Sequence, residues 1–213
     1  MVRSADYQNP RFARAYLAGV DLADRRGGYE HRRRLVAGLE GRVIEVGAGS
    51  GRNFPHYPPT VTEVVAVEPD DTLRAHAAHA AAAAPVRATV VPGHGEDLPG
   101  EPGAYDAAVV SLVLCTVPSP ERALREIVRL LRPGAGLRFY EHVRSPNPAL
   151  GLLEDLVTPA WRRLAGGCCP NRDTRAAIER AGFTIDDVTA FPFSPQPGVP
   201  RLTHLLGTAH LPL

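Results

Sequence analysis

The sequence predicts an α/β fold: a seven-stranded, mostly parallel sheet with helices on both faces and an antiparallel hairpin at its C-terminal edge. Three observations carry this expectation. Short apolar runs alternate with helical segments along the chain, the pattern of crossover connections between parallel strands. The runs are continuously apolar rather than alternating with polar residues, so both of their faces are covered. The last two runs, 183–191 and 202–211, have no helix between them and so should pair antiparallel. At 213 residues the chain suits one domain, with residues 1–40 as a helical cap and 41–213 as the core. No internal repeat is visible.

After a turn at Asn9-Pro10, residues 11–20 and 28–39 read as helices. The second puts Tyr29, Leu35, Val36 and Leu39 on one face and stops before Gly41. Its run Arg32-Arg33-Arg34 is expected on a solvated face. Residues 42–46 form a short strand that ends in glycines, and 62–68 a second that ends in an acid. A helix over 70–84 is opened by Asp70 as cap. Strands follow at 86–91 and 105–113. Ser119-Pro120-Glu121 opens the next helix, with Pro at its first position, and Arg132-Pro133-Gly134 stops it after Leu131. A fifth strand is expected at 137–143, and helices at 149–164 and 172–181. The closing strands are joined by a connector, 192–200, that holds four prolines.

Composition removes several function classes. Lys+Arg 24 against Asp+Glu 23 leaves a net charge of +1, which gives no basic stripe for sequence-independent nucleic-acid binding. No apolar run approaches the roughly 18 residues of a membrane span. The first twenty residues carry charges and a proline where a signal peptide needs an apolar stretch. A cytoplasmic protein without a membrane partner is expected. Three cysteines, two of them adjacent at 168–169, make neither a disulfide framework nor a zinc motif. No other group has ligand spacing, and no metal is expected.

The most informative stretch is VIEVGAGSGRNF, residues 43–54. A strand feeds directly into Gly47, Gly49 and Gly51, with Glu45 just before them and Glu68 at the end of the next strand. Such glycines allow main-chain conformations closed to other residues and let a ligand approach the backbone. In a doubly wound sheet both acids fall at the carboxyl edge beside the switch in strand order, where ligands bind. A dinucleotide fingerprint would need glycine at 52, where the chain has Arg52, and a long following helix, where it has Pro55, Pro58 and Pro59. A Walker loop would need Gly-Lys-Ser/Thr, which is absent. A ligand-free glycine turn explains the glycines but not the two acids. A ligand with a ribose and a cationic, zwitterionic tail suits both.

Here the sequence resembles the class I S-adenosylmethionine-dependent methyltransferases, whose fold is Rossmann-like. Residues 45–51 match their E/D-x-G-x-G-x-G motif, and VEPD (67–70), GEDLP (95–99), the run 105–136 and the strand ending in Glu141-His142 follow in the family's order. The resemblance implies S-adenosyl-L-methionine as cofactor. It implies contacts from Glu45, Gly47, Gly49, Gly51, Asn53, Glu68, Pro69, Gly95, Glu96, Ser111 and Leu112. Glu68 takes the ribose hydroxyls, Gly95 and Glu96 border the adenine, and Ser111 and Leu112 lie beneath the methionine chain. Many relatives carry Asp where this chain has His94, so the adenine amino group must be met by Glu96, by backbone or by water.

Within that superfamily the chain is most similar to the thiol S-methyltransferases of the methyltransferase-like type. The shared words are NFPHYPP (53–59), LVLCTVPSP (112–120), RPG…EHV (132–143), P-x-W (159–161) and GCC-x-x-R-x-T (167–174). The animal enzymes begin with a membrane-anchoring helix, and nothing in this chain reads as one. A small-molecule acceptor is expected, with a thiol favoured. O-, N- or C-methylation and a non-catalytic cofactor-binding domain remain open, as does the oligomeric state. Methyl transfer from a sulfonium is an in-line displacement in which the protein aligns the acceptor and excludes water. A thiol needs little activation, whereas a hydroxyl needs a stronger base. Glu141 and His142 are the candidate catalytic pair, of which only one can face the cofactor because side chains alternate along a strand. Tyr16, Cys115 and Trp161 are candidate acceptor-pocket walls.

Overall fold

In a computed structural model that describes residues 7–213, seven strands form one sheet in the order β3-β2-β1-β4-β5-β7-β6. They are β1 (Gly41–Val46), β2 (Val61–Val67), β3 (Ala88–Val91), β4 (Tyr105–Ser111), β5 (Leu131–His142), β6 (Thr184–Phe193) and β7 (Leu202–His210). β1 pairs in parallel with both β2 and β4, so the strand order reverses there and a crevice opens at the carboxyl edge. β7 lies between β5 and β6 and runs antiparallel to both. The expected edge hairpin is present. The first six residues of the expected cap lie outside the described residues.

Alternation along the strands feeds two apolar layers. Ile44, Val46, Ala108, Val110, Leu137 and Phe139 pack on one face, and Val43, Val64, Ala66, Ala107, Val109 and Tyr140 on the other. The first layer is closed by α4 (Pro120–Leu130) through Ala123, Leu124, Ile127 and Leu130. Each of its larger side chains contributes about 1.5–3 kcal/mol on burial. The Ser119 hydroxyl accepts from the Arg122 N–H and Pro120 opens the helix, as the sequence predicts. Asp70 caps α3 (Asp71–Ala81) through the Leu73 N–H. Helices α5 (Pro148–Leu164) and α6 (Thr174–Arg180) complete the chain.

Three sequence expectations need correction. Helices α1 (Pro10–Ala23) and α2 (Tyr29–Val36) are joined by a wide helical turn, 24–28, bent at Gly27 with φ 131°, and α2 ends at Val36, not at 39. Tyr29 is 57% exposed, outside the apolar face assigned to it, with its ring edge-on to His56. β5 starts at Leu131 because that residue is already extended at the end of α4 and pairs with Tyr105. Arg132-Pro133-Gly134 therefore ends the helix without delaying the strand. Among the described residues no helix is long and apolar enough to cross a membrane.

Candidate active site

The glycine loop sits at the reversal of strand order. The N–H groups of Gly47 and Ala48 both donate to the Val67 carbonyl, tying the loop to the end of β2. Gly49 has φ 57°, and a Cβ on it would lie 3.1 Å from the Tyr16 hydroxyl. The loop is thus closely covered by α1. Glu68 is buried and accepts from the Gly49 N–H at 2.7 Å and the Asp70 N–H at 2.9 Å. Burial raises its pKa to about 7, with the Asp70 charge adding to the rise, while those two N–H groups and Arg74 pull the other way.

Glu45 has a different role. It is fully buried, its pKa raised to about 7 by burial, and both oxygens are taken, by Asn53 Nδ2 at 2.8 Å and the Tyr57 hydroxyl at 2.7 Å. Arg32 reaches Asn53 Oδ1 at 3.3 Å and Asp24 at 3.1 Å, and Asp24 also holds Arg52 at 2.6 Å. Glu45 and Asn53 thereby fix the loop from below. Arg32 was expected on a solvated face, but its side chain is 11% exposed. The Asp24 turn and the Asn53 amide, which a run of three arginines does not announce, hold it there.

The nucleotide side is flanked by residues 7–9. The Gln8 side chain donates to the Pro69 carbonyl and accepts from the Asp71 N–H, and Tyr7 stacks on His94 with centroids 4.8 Å apart. One oxygen of the Glu96 carboxylate accepts from the Ser119 N–H at 2.7 Å and steadies the start of α4. Gly95 packs against Val46, Val117 and Ala123. Three buried polar atoms along this edge, Ser50 Oγ, His94 Nδ1 and Ser111 Oγ, have no hydrogen-bond partner among the described residues. Buried polar groups are rarely left so. Together with the close-set glycine loop, these atoms fit a polar ligand such as S-adenosylmethionine. Of the three, sequence reasoning reached only Ser111. His94 had registered as a missing Asp, and nothing marked Ser50.

The other end of the crevice is built from the loop after β4. Leu112 has φ 60°, a conformation that strains a branched side chain, and its N–H donates to the Tyr140 carbonyl at 2.7 Å. Glu141 is fully buried beneath this loop and accepts from the N–H groups of Val113, Leu114 and Cys115 at 2.9–3.0 Å. Burial raises its pKa against those three bonds. His142, half-buried on the opposite side of β5, points to sulfur: its Nδ1 lies 3.2 Å from Cys168 Sγ and 3.7 Å from Cys115 Sγ. Gly166 would place a Cβ 2.7 Å from the Phe12 ring, so α1 spans from the glycine loop to the loop bearing Cys168. Trp161 is half-buried, and its side chain is turned to Cys168 as a hydrogen-bond donor. The fold thus gathers Cys115, His142 and Trp161 around Cys168, with Tyr16 above the glycines.

Comparison with known proteins agrees with this geometry. A methyltransferase domain model matches residues 44–139. The human thiol S-methyltransferase TMT1B is 33% identical over 182 residues, covering 82% of this chain and 73% of that protein. Human TMT1A is 34% identical over 155 residues, 70% of this chain and 63% of its own length. The crystal structure of an S-adenosylmethionine-dependent methyltransferase from Mesorhizobium loti shares the fold with a TM-score of 0.65 at 19% identity, covering 88% of this chain and 99% of that one. On these grounds the chain belongs to the S-adenosylmethionine-dependent class I methyltransferases, in the family that contains the thiol S-methyltransferases, and uses S-adenosylmethionine as its methyl donor.

Proposed function

We propose that the protein methylates the sulfur of a small apolar thiol. One observation carries this reading: at the acceptor end Glu141 is consumed by three backbone N–H groups, which leaves His142 among sulfur atoms. An imidazole suffices to take a proton from a thiol, which is already partly ionised near neutral pH, and is a weak base for an aliphatic hydroxyl. The names of the relatives, thiol S-methyltransferases, support the same acceptor.

When bound, S-adenosylmethionine supplies an electrophilic methyl group on its sulfonium. Glu68 holds the ribose hydroxyls, with Pro69 beside them. Gly47, Gly49 and Gly51 let the backbone approach the methionine portion, Ser111 and Leu112 support it, and Glu45 and Asn53 keep the loop in shape. His94, buried and with Nδ1 unpartnered among the described residues, takes the adenine contact, while one Glu96 oxygen is held by the Ser119 N–H. Cys115, Trp161 and Tyr16 wall the acceptor and exclude water, and His142 receives its proton. Glu141 positions the 113–115 loop rather than touching the acceptor.

The test is a panel of apolar thiols and matched phenols, assayed from pH 6 to 10. Thiols should react faster, and kcat/KM should rise with pH to an inflection that moves down when the acceptor is a more acidic thiol. A phenol that outruns its thiol counterpart, with an inflection unmoved by substrate pKa, sinks the thiol reading.

A further inference from the structure

We propose that Cys115 Sγ, His142 Nδ1 and Cys168 Sγ form a binding site for one zinc-type cation. The three atoms lie within 4.8 Å of one another. Zinc bonds of about 2.3 Å to sulfur and about 2.0–2.1 Å to nitrogen give a tetrahedron whose S···N edge is about 3.6 Å. The observed S···N separations are 3.7 and 3.2 Å. Nδ1 has either one proton or one lone pair and cannot serve two sulfurs at once; Cys115 Sγ also lies 3.6 Å from Thr116 Oγ1, and Cys168 Sγ has the Trp161 side chain as a further hydrogen-bond partner. A cation at the common centre satisfies all three donors. Two thiolates, a neutral imidazole and a divalent ion are together neutral, so the largely buried group carries no net charge.

The surrounding structure holds each donor in place, as ligand sites require. The Cys115 N–H is fixed by Glu141 at 3.0 Å, and its carbonyl accepts from the Cys169 N–H at 2.7 Å. His142 packs edge-on against His204, with centroids 4.3 Å apart. Cys168 is delivered by Gly166 and Gly167, with φ 61° and 97°, and a Cβ on Gly167 would crowd the Thr116 carbonyl at 3.1 Å. Three protein donors of S and N type leave one tetrahedral position open, the arrangement of a catalytic rather than a structural zinc. Resting on the thiol acceptor read above, that position takes the acceptor: with Nδ1 on the ion and Nε2 protonated, His142 is no longer the base, so the acceptor S–H gives its proton to water and its sulfur lone pair binds the ion.

The experiment uses the reduced, full-length protein. Zinc should be retained at one equivalent per chain after dialysis. Cobalt(II) in its place should give a sulfur-to-metal charge-transfer band. Cys115→Ser and Cys168→Ser should each lower the band to about half its intensity per bound cobalt and weaken zinc binding at least about tenfold, and the double variant should lose the band. Cys169→Ser should keep both properties, since the Cys169 thiol is turned to the Gly167 carbonyl. Binding of S-adenosylhomocysteine reports that each variant is folded, and the wild-type cobalt spectrum decides the matter if a variant is not. Wild-type protein that holds no zinc and shows no charge-transfer band overturns the site, as does equal loss in Cys169→Ser. A cobalt band without thiol turnover would keep the site and remove the thiol reading. Thiol turnover in protein that binds no metal would do the reverse.

Discussion

Glu68 is a carboxylate whose charge is set by where the chain buries it. Removal from water favours the neutral acid, and two backbone N–H groups with Arg74 only partly offset this, so its pKa stands at about 7. Ribose hydroxyls that donate to it favour the ionised form, and cofactor binding should therefore release a proton. The affinity for S-adenosylhomocysteine should rise roughly tenfold between pH 6 and 8, as the free protein ceases to need that proton removed. Calorimetry in buffers of different ionisation enthalpy measures both quantities. Glu68→Gln should bind more weakly and lose the pH dependence. A pH dependence that survives the change would locate the titration elsewhere. At this scale the sequence shows which residues are present, but not which neighbours claim them. Glu141 and His142 read as an equivalent pair until the fold puts one under three N–H groups and the other against two sulfurs. Cys115 and Cys168 come from different loops, and no local spacing records that they meet.

Elements with strong local signals were readable, and those shaped by distant partners were not. Asp70 and Ser119 cap the helices expected of them because a side-chain oxygen two or three residues from an orphan N–H is a local matter. The turn at 24–28 is different. Its shape depends on Gly27 in the left-handed region and on Asp24 pairing with Arg32, each 11% exposed, and with Arg52. Asp24→Asn leaves the buried Arg32 charge without its partner, a change that costs about 3 kcal/mol in unfolding free energy. Because α1 carries Tyr16 over Gly49, the same variant should also bind S-adenosylhomocysteine more weakly. Arg33→Ala removes the exposed pair with Glu30 and should leave both measurements unchanged. Equal urea midpoints for Asp24→Asn and wild type would show that the turn does not depend on this pair.

Across the whole molecule, the parallel half of the sheet and its antiparallel edge make separate demands. The βα alternation announces β1 to β5, and the missing helix announces the hairpin, but neither states that β7 enters between β5 and β6. That insertion depends on shape. Gly207 faces the Phe139 ring, and a Cβ there would lie 2.6 Å from that ring and 2.5 Å from the Asp187 carbonyl. The crowded carbonyl belongs to β6 at its register shift between Ile185 and Asp187, so neither neighbour is the free end of a flexible chain. Gly207→Ala should therefore destabilise the protein by about 1–3 kcal/mol through overpacking, read as a lower urea midpoint with an unchanged slope. The effect should divide along the sheet. Glu68 and the glycine loop stand on β1 and β2, so affinity for S-adenosylhomocysteine should hold. His142 is paired with His204 of β7, and the Val143 N–H donates to the Thr203 carbonyl, so turnover should fall. A variant with wild-type stability, or one that loses cofactor affinity and turnover in parallel, would contradict this division of the sheet into a cofactor half and an acceptor half.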